Sequence, residues 1–177
     1  MKREDANKIC QDLIMGRGQL ARHFKKWTVC GSIRRLKPEV NDIDIVAISK
    51  PDGEYQFGEL SLANDIKRLD PEGVNLKEAD SKRFLNGDKI KRFQYQGMMI
   101  DLYLATEKTF GTLILIRTGS KEHNIRLTTL AMGKGLKLKA NGEGLVDRDN
   151  EKMVYENTED GILMKLLGRI PSPEYRD

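Results

Sequence analysis

The sequence predicts an α+β fold, in which helices and strands follow one another along 177 residues. Two periodicities support this prediction. Apolar residues recur at helical spacing in residues 3–14, 60–69 and 124–132, whereas residues 41–48 and 98–105 alternate as strands do. Hydrophobic residues make up 38% of the chain and charged residues 33%, which is typical of one globular domain, or of one domain with a small appendage.

The first part of the chain begins with the helix over residues 3–14, which places Ala6, Ile9 and Leu13 on one face and ends before Gly16. The later elements follow from the same patterns and from the turn residues between them. They are a short helix over residues 20–26, a strand over 41–48, a turn at 51–53, a helix over 60–69, and strands over 74–79, 89–95 and 98–105.

The C-terminal part begins with an apolar segment over residues 109–117, which leads into the helical pattern of residues 124–132. Residues 136–146 have the pattern of a hairpin that turns at an Asn-Gly pair. The last helix is predicted to begin after a Thr158 cap and to end at Gly168.

Residues 29–45, VCGSIRRLKPEVNDIDI, begin with a small-residue turn that carries two arginines. Gly31 allows the backbone to turn sharply and to approach a ligand closely, and the Ser32 hydroxyl can donate a hydrogen bond and cap a following helix. Helix N-terminal amides favour anions, and Arg34 and Arg35 add permanent positive charge. The turn is therefore suited to binding phosphate.

The same segment ends in a D-x-D pair on a predicted strand. Asp42 and Asp44 share one face of that strand, while Ile43 and Ile45 point to the opposite face and into a core. Adjacent carboxylates repel each other unless cations lie between them, and their oxygens suit Mg²⁺ or Mn²⁺. Alone, the D-x-D pair is a weak signal, because acidic strand faces are common.

A third aspartate lies on the strand over residues 98–105, MMIDLYLA. Its apolar residues alternate toward the core, which leaves Asp101 and Tyr103 on the opposite face. If this strand lies beside the first, three carboxylates meet. Two divalent cations about 4 Å apart need such a set of ligands.

The net charge of +4 is unevenly distributed. Residues 117–139 hold six lysines and arginines against a single glutamate, a local charge of +5 that leaves −1 for the remainder. A concentrated basic stretch is the footprint of a polyanion site, although a solvated helix face is the commoner meaning of a charge run. For a DNA ligand, the candidate phosphate contacts are Lys121, Arg126, Lys134, Lys137 and Lys139, and affinity should fall steeply with salt.

Other classes of protein are disfavoured. No apolar run approaches the roughly 18 residues of a membrane helix, and the start, MKREDANK, lacks a signal-peptide core. We therefore expect an intracellular protein without a membrane partner. Cys10, Cys30, His23 and His123 have neither a disulfide framework nor metal-ligand spacing, so we expect reduced, buried cysteines and a surface or core His23.

An apolar residue, Gly-Ser and a later D-h-D are similar to the signature of the nucleotidyltransferase superfamily. The segments GSIRR, NDIDIV, IDLYLA, RTGSKEHN and TEDGILMKLLGRIPSPEYR resemble, in the same order, the X family of DNA polymerases. The resemblance covers nearly the whole chain. The Thr-Gly-Ser turn after the third aspartate is its most discriminating part.

The resemblance implies a nucleotidyltransferase-type palm over residues 1–105, with a mixed β-sheet flanked by helices. It also implies a small α/β C-terminal subdomain over residues 106–177 that contacts nucleotide and DNA.

In the X family three aspartates bind two Mg²⁺ ions, which implies that Asp42, Asp44 and Asp101 are both the catalytic residues and the metal ligands, with Mn²⁺ as an alternative ion. The family also implies a triphosphate cradle, a turn beside the sugar and an asparagine at the minor-groove edge of the incoming base. The implied nucleotide-binding residues are Arg3, Gly31, Ser32, Arg35, Thr118, Gly119, Ser120 and Asn124.

The implied activity is DNA-directed DNA synthesis from deoxynucleoside triphosphates on primer-template or gapped DNA, in repair or gap filling. Asp101 would orient the primer 3′-hydroxyl or accept its proton, and Arg35 would stabilise the leaving pyrophosphate. We expect a monomer, located in the cytoplasm or nucleoid, or in the host cell or virion if the source is a virus.

The chain departs from the family pattern in several places. It begins at the palm, so we expect neither the lyase and helix-hairpin-helix modules nor their 5′-phosphate pocket. Ile116 and Arg117 replace an aromatic pair beside the sugar, which leaves ribonucleotide use open. Thr128 replaces a template-contacting arginine, with Arg126 two residues earlier, so we expect low or unusual fidelity. His123 is either a surface helix residue or a contact to nucleotide or template.

Two alternatives remain open. One is a template-independent nucleotidyltransferase that acts on an RNA end, a small molecule or a protein. The other is a non-catalytic DNA-binding module, against which the retention of three clustered acids argues.

Overall fold

The computed structural model of the protein describes residues 1–50, 61–74, 85–152 and 154–176. Helices and strands alternate along these ranges, as the sequence predicts. The helices are α1 (Arg3–Ile14), α2 (Gly31–Arg34), α3 (Leu62–Leu69), α4 (Pro71–Val74), α5 (Phe110–Thr118), α6 (Lys121–Gly133) and α7 (Glu159–Leu167). The strands are β1 (Phe24–Val29), β2 (Asp42–Ser49), β3 (Leu85–Asn86), β4 (Ile90–Tyr95), β5 (Met98–Ala105), β6 (Leu136–Lys139), β7 (Gly144–Asp147) and β8 (Val154–Glu156).

The larger sheet has the strand order β1-β2-β5-β4-β3 and is mixed, because β2 and β5 are parallel while the other pairs are antiparallel. The second strand in this order, β2, is covered on both faces. Ile43 and Ile45 pack in one cluster with residues of α1, whereas Val46 packs in another with Phe110 and Leu113 of α5. Asp42 and Asp44 share the α5 face of β2, because strand residues two apart point the same way.

The smaller sheet, β6-β7-β8, is antiparallel. Leu136 and Leu145 from this sheet pack with α5, α6 and α7 in a separate cluster. Thr158 caps α7 by accepting a hydrogen bond from the Gly161 amide, and Gly168 ends the helix in a left-handed conformation, as predicted. The predicted division at residue 105 stays a prediction.

One element was predicted wrongly. Residues 20–26 form a short 3₁₀ turn over Leu20–His23 and then enter β1, rather than forming a helix. Antiparallel pairing of β1 with β2, from Phe24 opposite Ser49 to Val29 opposite Ile45, outweighs the weak local helical pattern. The predicted turn at 51–53 and residues 75–79 of the predicted strand 74–79 lie outside the described residues, and Val74 ends α4.

Both cysteines are buried free thiols, as predicted, and burial raises the pKa of Cys10 to about 11 and of Cys30 to about 12. His23 is a core residue whose Nε2 lies 2.5 Å from the Asp65 carboxylate. In the described ranges, no helix combines the length and apolar character that a bilayer crossing requires.

Candidate active site

Gly31 and Ser32 follow β1 as the first two residues of α2, and this turn is hydrogen-bonded to the D-x-D strand. The Cys30 amide donates to the Asp44 carbonyl at 2.8 Å. Gly31 has a φ of +60°, and a Cβ added there would overlap the Asp44 Oδ2 atom. Glycine is therefore required twice, by its backbone conformation and by the close approach of the carboxylate.

The three aspartates lie at one end of two neighbouring strands. Asp44 on β2 is the register partner of Asp101 on β5, and Asp42 precedes Asp44 by two positions on the same face. The predicted adjacency of the two strands is confirmed. β2 and β5 pair in parallel, so residues 43–45 of β2 lie beside residues 100–102 of β5.

The site is electrostatically unfavourable for carboxylates. Burial raises the pKa of Asp44 to about 7, with further contributions from the charges of Asp42 and Asp101. Burial and the neighbouring Asp101 also raise the pKa of Asp42, although Arg92 and Arg35 oppose this. The arginines near Asp42 and Asp44 therefore supply too little positive charge to keep the pKa values of both carboxyls at their ordinary level.

Asp101 is held by a cation from the neighbouring strand. Arg92 on β4 stands opposite Asp101 and donates to both of its carboxylate oxygens, at 2.6 Å each. The Tyr103 hydroxyl lies 3.3 Å from the same carboxylate. In the described part of the chain, no three His, Cys, Asp or Glu side chains are placed to hold a metal ion together.

Sequence reasoning missed Arg92, although a signal existed. The hairpin β4–β5 turns at Gln96-Gly97, both with positive φ, which is typical of a two-residue turn. Such a turn pairs Tyr95 with Met98, and counting back along both strands places Arg92 opposite Asp101.

A cavity of about 710 Å³ opens in front of the D-x-D pair. It brings together most of the predicted nucleotide and metal residues with several that were not predicted. The predicted lining residues are Gly31, Ser32, Arg35, Asp42, Asp44, Gly119, Ser120, Lys121 and Asn124; the others include Glu39, Tyr103, Ile116, Arg117 and Thr128.

Three of the predicted nucleotide-binding and metal-binding residues lie outside this lining. Arg3 donates from Nη1 to the Leu36 carbonyl at 2.5 Å, and Asp101 is held by Arg92. Thr118 is fully buried. Its hydroxyl accepts a hydrogen bond from Arg34 at 2.7 Å, and its carbonyl accepts one from Arg35, so it anchors the turn to the arginine pair.

The turn that follows Thr118 is fixed at both ends. The Gly119-Ser120 peptide is cis. The Ser120 amide donates to the Arg176 carbonyl at 3.0 Å, and the Ser120 hydroxyl caps α6 by accepting from the His123 amide at 3.2 Å.

A partly buried ionic network supports the turn. Arg34 donates to both carboxylate oxygens of Glu159, at 2.6 and 2.7 Å, and Arg176 donates to the same carboxylate at 2.6 Å. Burial opposes the ionisation of Glu159, but the two arginines outweigh it and lower the pKa of this carboxyl. No local sequence pattern indicates this network, because Arg34 and Glu159 are 125 positions apart.

Two cavity residues have incomplete hydrogen bonding. Asn124 donates from Nδ2 to the Ile116 carbonyl at 2.8 Å, while its buried Oδ1 has no partner in the described part of the chain. The Arg117 guanidinium stacks on the Tyr103 ring at 4.1 Å, and its buried Nε likewise finds no partner among the described residues. Tyr103 was not predicted as a site residue.

The predicted DNA-contacting residues differ in their surroundings. Lys121, Arg126 and Lys134 are exposed, whereas Lys137 and Lys139 each lie 2.5 Å from the Glu151 carboxylate. Two of these five charges are thus partly neutralised within the fold.

Comparison with known proteins supports the resemblance to the X family of DNA polymerases. Residues 113–177 match the family described as DNA polymerase beta thumb. The DNA polymerase/3'-5' exonuclease PolX of Bacillus subtilis (strain 168) is 30% identical over 125 residues, which make up 71% of this chain. The chain spans only 20% of that relative's length.

Two solved structures of Leishmania infantum polymerase beta, a ternary P/T complex and a ternary gap complex, superpose with a TM-score of 0.67 each. They are 20% and 19% identical to this chain, cover all of it, and are themselves covered to 76% and 70%.

The fold is polymerase beta-like, and the predicted α+β class with a mixed sheet flanked by helices is confirmed. Together with the thumb match and the bacterial relative, it confirms that the chain is similar to the X family of DNA polymerases.

Proposed function

We propose that the chain is a DNA-directed DNA polymerase that adds deoxynucleotides to a primer 3′-hydroxyl, as an intracellular monomer acting in DNA repair or gap filling. One observation carries the proposal. A single cavity is lined by the Gly31-Ser32 turn, by Arg35 and by the Asp42–Asp44 pair, whose charge is only partly compensated. Phosphate-binding and cation-binding groups therefore face one space.

The donor set fits Mg²⁺ or Mn²⁺, because carboxylate oxygens are the ligands such ions prefer and burial disfavours an unpaired Asp44 anion. Asp42 and Asp44 would hold an ion beside the triphosphate, and Asp101 would complete a second site after leaving Arg92. When bound, the ions would supply positive charge that neutralises the phosphates and lowers the pKa of the primer hydroxyl.

The chain's own residues would orient the reactants. Arg35 and the Ser32 hydroxyl would hold the phosphates and stabilise charge on the leaving pyrophosphate. Asp101 would accept or orient the proton of the 3′-hydroxyl.

Primer extension with purified protein, a labelled primer-template, four deoxynucleotides and Mg²⁺ tests the proposal. Asp42→Ala and Asp101→Ala should each lower the rate by at least ~10³-fold, because each removes a proposed metal ligand, while DNA affinity stays within about twofold. Asp149→Ala, which removes an exposed acid outside the cavity, is the matched control. Near wild-type extension by either active-site variant would contradict the assignment.

The same assay separates the alternatives. Extension that persists without a template strand, or that prefers an RNA end, would assign the chain to template-independent nucleotidyl transfer. DNA binding without extension under any of these conditions would indicate a non-catalytic module. Replacing deoxynucleotides by ribonucleotides tests the sugar selectivity that Ile116 and Arg117 leave open.

A further inference from the structure

A second cavity, of about 560 Å³, lies where the end of β5 meets α5 and the turn between β6 and β7. Within the described residues, its lining shares only Tyr103 and Arg117 with that of the candidate active site. Pockets that bind small organic molecules measure roughly 300–1,000 Å³, so this cavity has a suitable size. The proposed reaction makes no use of it.

The turn between β6 and β7 forms one wall of the cavity. A Cβ added at Gly142 would lie 2.7 Å from Leu113 and 3.0 Å from Thr109, so the turn packs directly on α5. Gly142 also has a φ of +92°, a conformation that favours glycine. The neighbouring turn residues Ala140 and Asn141 are exposed and line the cavity, so it opens to solvent beside them.

Apolar side chains from three elements form much of the remaining wall. They are Ile90 of β4, Leu104 and Ala105 of β5, and Leu113 of α5. Leu113 belongs to a buried cluster, and Ile90 and Ala105 pack against that cluster. A ligand with an apolar body would release water from these surfaces when it binds.

Arg117 contributes a half-buried positive charge to the cavity. Its guanidinium stacks on the Tyr103 ring at 4.1 Å, which fixes its position. Among the described residues it forms no ion pair and its buried Nε has no partner, whereas Arg34 and Arg92 bind carboxylates. Asp44 is near enough for Arg117 to oppose the rise in its pKa, but no ion pair joins the two. Such a guanidinium is suited to an acidic group of a ligand.

The other charges of the lining disfavour a ligand with several acidic groups. Lys89 is exposed, as are the two acids Asp88 and Glu143. The two acids offset the two cations, Lys89 and Arg117, so the lining has no net charge. A triphosphate or a DNA strand would be repelled by the acids, whereas a single acidic group beside Arg117 would not.

We propose that this cavity binds a small organic anion, with one acidic group on Arg117 and an apolar body against Leu104 and Leu113. The Asp42–Asp44 pair lies outside the lining, so the ligand is an effector rather than a substrate. Its contact with Tyr103 and Arg117 reaches two residues of the candidate active site. The inference does not depend on the proposed function, because binding here requires neither metal nor DNA.

Fluorescence titration with 1-anilinonaphthalene-8-sulfonate tests the site in EDTA, without DNA or nucleotide. N-phenyl-1-naphthylamine has the same aromatic body without the sulfonate and serves as the neutral probe. Ala140→Trp places an indole at the exposed rim of the cavity, and Arg117→Met removes the charge. The matched controls are Asn150→Trp and Arg148→Met, because both positions are exposed and lie outside the lining of both cavities.

We expect the wild type and both controls to bind one equivalent of the sulfonate probe. Ala140→Trp should weaken the binding of both probes by about tenfold or more, because the indole fills the space they need. Arg117→Met should weaken the sulfonate probe by about fivefold or more and change the neutral probe by less than about twofold. Unchanged binding in Ala140→Trp would overturn the site. Equal effects of Arg117→Met on the two probes would overturn the assignment of an anion.

Methyl resonances locate the sulfonate probe independently of these variants. In protein with ¹³C-labelled isoleucine and leucine methyl groups, we expect the resonances of Ile90, Leu104 and Leu113 to shift. The resonances of Leu13 and Leu163, which lie in the two other apolar clusters, should stay unchanged. Shifts confined to residues outside the cavity would place the probe elsewhere and overturn the inference. Loss of primer extension in Mg²⁺ with intact probe binding would overturn the polymerase assignment alone.

Discussion

Glu159 and Asp44 are both partly buried carboxylates, yet their pKa values move in opposite directions. Glu159 receives hydrogen bonds from Arg34 and Arg176, which lower its pKa in spite of burial. Burial and the neighbouring aspartates raise the pKa of Asp44 to about 7, and the nearby arginines compensate this only in part. The fold therefore places enough cationic side chains beside Glu159 and too few beside Asp44.

The difference separates a structural ionic site from a functional one. A buried carboxylate that is fully paired within the chain stabilises one arrangement of the fold, and it has no need of a ligand. A carboxylate pair left under-compensated in a cavity is suited to an external cation. Asp101 is intermediate, since Arg92 on the neighbouring strand compensates it, although it is the register partner of Asp44.

The largest effect is expected from removing the charge of Glu159, the compensated carboxylate. Glu159→Gln leaves Arg34 and the 2% exposed Arg176 without a counter-charge, so we expect a loss of about 3–5 kcal/mol in the free energy of unfolding. Urea denaturation in metal-free buffer measures it. Asp160→Asn, which neutralises the exposed neighbouring acid, is the control, and a loss below about 1 kcal/mol in the Glu159 variant would contradict the ranking.

A second prediction concerns the positive surroundings of Glu159. The pKa of His123 falls from its ordinary 6.5 to about 4 in the folded state, through burial and through Arg176 and Arg126, with Glu159 opposing. Because the unfolded chain then binds a proton that the folded chain does not, stability is fully present above pH 6.5 and is lost as pH falls toward 4.

The His123 contribution amounts to as much as about 3 kcal/mol. Comparing wild type with His123→Phe by urea denaturation at several pH values isolates it from the carboxylates that titrate in the same range. Parallel curves for the two proteins between pH 6.5 and 4 would rule out the linkage.

A substitution at Arg92 tests Asp101, the carboxylate that is intermediate between Glu159 and Asp44. Arg92→Met leaves the 4% exposed Asp101 unpaired, and we expect a loss of about 1–3 kcal/mol without metal. Mg²⁺ or Mn²⁺ should then stabilise the variant more than the wild type, because Arg92 no longer competes for the carboxylate. Thermal unfolding with and without metal, with Lys91→Met as the neighbouring control, checks this, and equal metal-induced shifts would count against competition.

The smallest effect is expected at the under-compensated site. Asp44→Asn removes a buried charge that lies close to Asp42, so metal-free stability should rise by about 1 kcal/mol while metal-induced stabilisation disappears. The same denaturation experiment measures both. A destabilised variant would show that Asp44 is compensated after all and would remove the contrast with Glu159.

The outcome of sequence reasoning differed between elements. The bounds of α1 and β5 were predicted to the residue, because their apolar periodicity agrees with the way they pack. Residues 20–26 were predicted wrongly because β1 owes its conformation to pairing with β2, which no local pattern records. The basic run was predicted as a set, but only the fold shows that Glu151 neutralises Lys137 and Lys139, while Arg126 has no ion-pair partner among the described residues.

The sequence by itself determined the Gly31-Ser32 turn, the shared face of Asp42 and Asp44, and the caps of the last helix, because each depends on backbone geometry over a few neighbouring residues. The tertiary structure alone decided which charges meet. It placed Arg92 on Asp101, Arg176 on Glu159 and Arg169 beside His123, through contacts that depend on strand register and on how the tail packs. Charge compensation is a property of distance in space, and the linear order of residues does not contain it.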